Sequence, residues 1–159
     1  MQMQSKGKKN GNKFKNAVIV TPDVANCFQN GLSALGMYKD RVEAKDTRLI
    51  EGSIDIDGCT RLIFPQANRW DYALCYNSEV YFIEVHSAQT SQVSKVLKKL
   101  QWLRDWLNEH APELNKLKPK NKPAFYWIQS NNFQIQSHLP QYRKALNAGL
   151  KPIPKLILN

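Results

Sequence analysis

The chain predicts an α/β fold, a three-layer α/β/α sandwich around a mixed sheet. Three observations carry that expectation. Two consecutive runs, 69–76 and 79–86, have strand composition and are joined by Asn77-Ser78, a tight-turn pair. An amphipathic pattern follows over 90–109, with Val93, Val96, Leu97, Leu100, Leu103 and Leu107 on one helical face. A further apolar strand run, AFYWIQS over 124–130, comes after it. Strands flanked by helices pack as layers around a sheet.

Taken in order, residues 1–16 hold Lys6, Lys8, Lys9, Lys13 and Lys15 and no acid. They predict a disordered basic tail, either a phosphate-contacting arm or a solvated extension. Residues 17–159 read as one domain. Residues 17–22 fit a short strand or the lead into a helix. A helix over 23–37 is predicted from Val24, Cys27, Phe28, Leu32 and Leu35, with Asp23 as its cap and Gly36 at its end. Residues 38–47 form a charged connector. A strand over 48–57, a turn at Asp57-Gly58 and a short strand over 60–64 follow, then a loop from Pro65 to Arg69. The 90–109 helix is capped by Thr90 or Ser91 and stops before Pro112. Residues 113–123 read as an exposed lysine-proline loop. A helix over 139–148 and a last strand or extended tail over 153–158 complete the chain.

Composition narrows the function. The formal net charge of the 159 residues is +10, which favours polyanionic partners, nucleic acid above all. No apolar run approaches the roughly 18 residues of a membrane span, so no membrane partner is expected. The basic start lacks a hydrophobic signal region, which points to the cytoplasm. Cys27, Cys59 and Cys75 are odd in number and form no CxxC pair, which argues against a disulfide framework and a zinc cluster. There is no Gly-rich phosphate loop, no GxSxG and no HExxH. Asp55-Ile56-Asp57-Gly58 lacks the later ligands of a calcium loop and reads as a turn.

The 69–76 and 79–86 hairpin holds the most informative residues. Asp71 starts the first strand, and Glu84, Val85 and His86 end the second. Side chains alternate across a strand, so Glu84 and His86 share a face. Two carboxylates brought together among apolar neighbours either bind a hard divalent cation or carry a large desolvation cost. The structural alternatives are a strand-end cap at Asp71, an ion pair from Glu84 to a lysine or arginine, and a satisfied histidine at 86. On the 90–109 helix, Lys95, Lys99, Trp102 and Trp106 form a second stripe. It fits phosphate contact with base stacking, or packing of the tryptophans, the commoner fate of such a stripe. Lys118, Lys120 and Lys122 add further candidates for phosphate contact.

The order helix, hairpin strands, Asp71, Glu84-x-His86, helix, strand resembles the PD-(D/E)XK, or restriction-endonuclease-like, nuclease superfamily over roughly residues 23–130. The nearest proline to Asp71 is Pro65, and His86 stands where that pattern has lysine. The resemblance implies a restriction-endonuclease-like core and Mg²⁺- or Mn²⁺-dependent hydrolysis of nucleic acid, DNA first. Asp71, Glu84 and the Val85 carbonyl would ligate metal, and His86 would orient water or act as base. With a reference pKa of about 6.5, His86 is expected mostly neutral near pH 7. Lys95 would then supply the missing cation, and Glu51 or Glu43 an extra acid. A symmetric dimer fits a nuclease of duplex DNA. The alternative is a member of the fold that binds nucleic acid or serves as a scaffold without cutting.

Overall fold

A five-stranded mixed sheet organises the structure, a computed structural model that describes residues 11–131 and 135–159. In chain order the elements are α1 (Lys13–Ile19), β1 (Val42–Ala44), β2 (Ile50–Asp55), α2 (Ile56–Thr60), β3 (Tyr72–Tyr76) and β4 (Glu79–His86). They continue with α3 (Val93–Glu109), α4 (Pro112–Asn115), β5 (Phe125–Gln129), α5 (Pro140–Asn147), β6 (Pro152–Ile153) and β7 (Leu156–Leu158). The sheet order is β2-β3-β4-β5-β6. The first three strands form an antiparallel meander, and β5 and β6 extend it in parallel from β4.

The hairpin is as the composition demands. Asn77 and Ser78 have φ values of 49° and 64°, the positive pair that matches the twist of two antiparallel strands. From Val80 to Val85 strand β4 is buried on both faces, which its near-continuous apolar run permits. Helix α3 lays Val93, Val96, Leu100, Leu103 and Trp106 on one face of the sheet. Each fully buried leucine there contributes about 1.5–3 kcal/mol. Ala73, Cys75, Phe82 and Trp127 meet it from the sheet, with Phe14 and Val18 of α1 and Ala145 of α5 alongside. No helix among the described residues is long and apolar enough to cross a membrane.

The opposite face departs from a helix layer. Leu74, Tyr81, Ile83, Val85 and Ile128 pack there against Leu35, Val42, Leu156 and Leu158. Those residues come from a 3₁₀ segment, Ser33–Arg41, and from a separate parallel pair of β1 and β7. The second outer layer is therefore a 3₁₀ turn and a two-stranded ribbon, where the sequence predicts an α-helix.

Four local expectations are corrected. Residues 1–10 of the expected disordered tail lie outside the described residues, but Lys13 to Asn16 already belong to α1. Asn12 caps that helix at the Lys15 amide and ties it to the sheet through the Glu51 carbonyl, 2.8 Å away. The helix predicted over 23–37 is broken into 3₁₀ turns, because Gly31 and Gly36 take positive φ and Gln29 bridges to Ser53 of β2. The strand predicted over 60–64 is instead the end of α2 and a turn, since the Asp55 carboxylate accepts from the Gly58 amide and starts a helix. Cys27 and Cys59 form a disulfide, contrary to the cysteine count. Only Cys75 is free, and it is buried.

Gly52 has φ 150° in β2, and a Cβ added there would overlap the Phe28 ring. Gly52→Ala is expected to destabilise the fold by about 2–3 kcal/mol through overpacking and backbone strain. Urea denaturation of the two proteins checks this, and an unchanged midpoint contradicts the packing described.

Candidate functional site

Asp71 immediately precedes β3, and its placement begins with Trp70. That ring is fully buried and meets Phe125 edge-on, with centroids 6.4 Å apart. The Asp71 carbonyl accepts from the amides of Ile56 and Asp57, at 2.8 and 3.2 Å. The aspartate is thus held on both sides by its own backbone. It shares parity with Ala73 and Cys75, so it faces α3, as do Glu84 and His86 on β4.

The two acids clasp each other through the backbone. The Asp71 amide donates to Glu84 Oε1 at 3.1 Å, and the Val85 amide donates to Asp71 Oδ2 at 3.0 Å. Their remaining oxygens converge on one cation, the Lys99 ammonium of α3. It lies 3.2 Å from Asp71 Oδ1 and in direct contact with Glu84 Oε2. The Glu84 side chain is fully buried and that of Lys99 is 12% exposed. His86 closes the cluster. Its Nδ1 is 3.3 Å from Glu84 Oε2 and its Nε2 is 2.8 Å from Gln92 Oε1.

Electrostatics follow from that crowding. Burial raises the Asp71 pKa, and the Glu84 charge adds to it, to about 7, against the opposing pull of Lys99 and the Val85 amide. Burial alone would lower the Lys99 pKa, but the charges of Glu84 and Asp71 outweigh it and the net direction is up. His86 is raised above its ordinary value, chiefly by its hydrogen bond to Glu84. The expected neutral ring is therefore replaced by an imidazole biased toward its charged form. Both its nitrogens face acceptor oxygens, which leaves no lone pair aimed at a reacting group.

The other candidates disperse. Lys95 is exposed on α3, one turn before Lys99, and Lys99 holds the place proposed for it. Glu51 sits at the far end of β2, where it accepts from the Ser78 amide at 2.8 Å and from Cys75 Sγ at 2.9 Å. Glu43 pairs with Lys155 on the ribbon, at 2.7 Å. Lys118, Lys120 and Lys122 follow Leu117, whose carbonyl bonds Val80 at the start of β4. They therefore lie at the opposite end of that strand, roughly 13 Å of backbone from Glu84. Trp102 stacks on Trp106 and meets Phe64 edge-on, and Trp106 is buried with its indole nitrogen on Asp23. The tryptophans of that stripe are packing residues.

Sequence reasoning missed the position of Lys99 and the part played by Gln92. The signal was present. Gln92, Val96, Lys99, Leu103 and Trp106 recur at four, three, four and three residues, so Lys99 lies inside the buried stripe.

Among the described residues no three His, Cys, Asp or Glu side chains form a metal-holding group. The pair fits a hard cation nonetheless, since one positive centre already shares an oxygen from each acid and Mg²⁺ draws its other ligands from water and substrate. No protein-family model matches the chain, and no curated protein or solved structure matches it.

Two outcomes are expected. Lys99→Met leaves two buried carboxylates unpaired and should cost about 3–5 kcal/mol at pH 8. Millimolar Mn²⁺ should recover part of that loss in Lys99→Met but none in Lys99→Met with Glu84→Gln, measured by urea denaturation. The second concerns pH. Asp71 titrates near 7 folded and near 3.8 unfolded, so between those values the folded chain holds the extra proton. Its contribution therefore falls as pH rises from 4 to 7. That of His86 is full below 6.5 and is lost as pH passes its raised folded value. Thermal melts from pH 4 to 8 should show the wild type losing stability and Asp71→Asn losing less. Parallel curves would contradict the burial of Asp71.

Proposed function

We propose that the chain is a metal-dependent phosphodiesterase acting on nucleic acid, DNA first, on a restriction-endonuclease-like core. The observation that carries this is the convergence of Asp71 and Glu84, from adjacent antiparallel strands, on one shared cation, the ammonium of the buried Lys99. The chain order α1, meander β2-β3-β4, α3, parallel β5 supports the same core. The net charge of +10 supports a polyanionic substrate.

Asp71 and Glu84 would hold Mg²⁺ or Mn²⁺, with the Val85 carbonyl as a further oxygen. When bound, such an ion lowers the pKa of water and neutralises charge on phosphate. The chain's own groups do the rest. Lys99, displaced from the carboxylates, carries a flexible positive charge toward the phosphate oxygens. His86, held by Gln92 and biased toward its charged form, acts as a fixed positive group and not as the base. It stands in for the lysine absent from β4.

A second reading is favoured by the same lysine. Its ammonium fills the shared point without any metal, and a third carboxylate is absent among the described residues. On that reading the tetrad is a closed ion-pair network and the protein binds nucleic acid without cutting.

Cleavage of labelled single-stranded and duplex DNA with Mg²⁺, Mn²⁺ or EDTA separates the two. Metal-dependent cutting is expected, reduced about a hundredfold or more by Asp71→Asn and by Glu84→Gln. Undiminished cutting by both variants would exclude this site. Salt-sensitive binding without cutting would establish the second reading.

A further inference from the structure

A second polar feature lies one strand away from the tetrad. Gln129 ends β5 and is the register partner of His86 across the parallel β4–β5 pair. Paired residues on adjacent strands point to the same face, so Gln129 is directed to the side of the sheet that carries Glu84 and His86. The residue is only 5% exposed, yet its amide atoms are not among the side-chain atoms sealed from solvent without a partner, so they face accessible space.

Gln129 lines a cavity of about 460 Å³, shared with Tyr142 of α5, Lys151, Pro152 and Pro154. The cavity opens at the carboxyl ends of the parallel strands β5 and β6. That is where ligands gather on open α/β sheets, because no following strand covers the crevice. Its rim is rigid. Arg41 donates to the Gln129 carbonyl at 2.7 Å and also reaches the carbonyls of Ser130 and Pro154. The Ser130 amide and the Trp127 indole both bond the His86 carbonyl, at 3.1 and 3.0 Å. The cavity and the tetrad are thus fixed to each other by backbone.

The lining selects a ligand class. An amide offers a donor and an acceptor side by side, the pattern that pairs with the edge of a base, adenine above all. Tyr142 and the two prolines supply flat apolar surfaces for a base face. Lys151 is exposed at the rim and supplies a charge for phosphate. The separation also fits. Glu84 to Gln129 is one strand across, about 4.8 Å, and two residues along, about 6.6 Å, which is close to one nucleotide step. A base within a duplex cannot present its edge to such a crevice without leaving the stack.

We propose that this cavity receives an unpaired base next to the phosphate that a metal on Asp71 and Glu84 would hold, so that the substrate is single-stranded or locally unpaired nucleic acid. This rests on the phosphodiesterase reading only for the identity of the neighbouring phosphate.

The test is binding in EDTA, where no cutting occurs, of an oligonucleotide with one 2-aminopurine, as a single strand and within a duplex. The wild type is expected to bind the single strand at least about tenfold tighter at equal salt, with a change in 2-aminopurine emission. Gln129→Leu and Tyr142→Leu should each remove about tenfold of single-strand affinity and leave duplex affinity unchanged. Lys151→Ala, on the exposed rim, should weaken single-strand binding without touching the fold. Equal wild-type affinity for both forms would overturn the proposal with no variant needed. So would an unchanged preference in folded Gln129→Leu and Lys151→Ala. A preference that survives in a protein that never cuts would sink the phosphodiesterase reading and leave the base site standing. Cutting with no strand preference would do the reverse.

Discussion

The contact between the Lys99 ammonium and the two carboxylates of the hairpin is the constraint on which the rest depends. Glu84 is fully buried and Asp71 nearly so, at 20% exposure. Two acids at that depth and spacing cannot both stay ionised unless a cation lies between them. Helix α3 supplies it, and in doing so fixes its own rotation on the sheet. Were α3 turned by one position, Leu100 would face the acids and Lys99 would meet solvent. Packing of Val96, Leu100 and Leu103 supplies the bulk of the binding of helix to sheet. The ion pair contributes little net free energy beyond that, because both partners lost their water. What it contributes is selection of one orientation over its neighbours.

Burial and the crowding of these charges set the charge states around that contact. Burial, with the Glu84 charge added, pushes Asp71 to about 7 against the pull of Lys99. Lys99 and His86 are raised as well and hold their protons more tightly.

Legibility followed range. Strands β4 and β5 and helix α3 were readable because their patterns are local: continuous apolar runs and a helical stripe. The Asn77-Ser78 turn was readable because only a positive-φ pair closes so short a hairpin. The region 23–37 was not. Its apolar spacing is helical, but the Gln29–Ser53 bridge and the Cys27–Cys59 bond hold it from 24 and 32 residues away. Long-range partners of that kind leave no local trace. The acids of the site were found, since alternation alone places them. The cation was assigned one turn early, to Lys95, with Lys95 and Lys99 both read in one outer stripe with the tryptophans. Trp102, half-buried, in fact meets Phe64 across 38 residues, and Trp106 is buried against Trp102 and bonded to Asp23.

Charge position teaches a further lesson. The lysines at 118, 120 and 122 look like a nucleic-acid contact in sequence, yet the topology carries them to the amino ends of β4 and β5. The acids sit at the carboxyl end of β4, beyond one Debye length at physiological salt. Those lysines therefore cannot tune the tetrad, and their pull on a polyanion is independent of the site. A small anion would be held at one end or the other. A chain of phosphates is different, since the stretch of β4 from Val80 to Glu84 spans about 13 Å. That is the rise of about four base steps at about 3.4 Å each. An extended polyanion can engage both ends at once, whereas a single phosphate ester meets one end or the other.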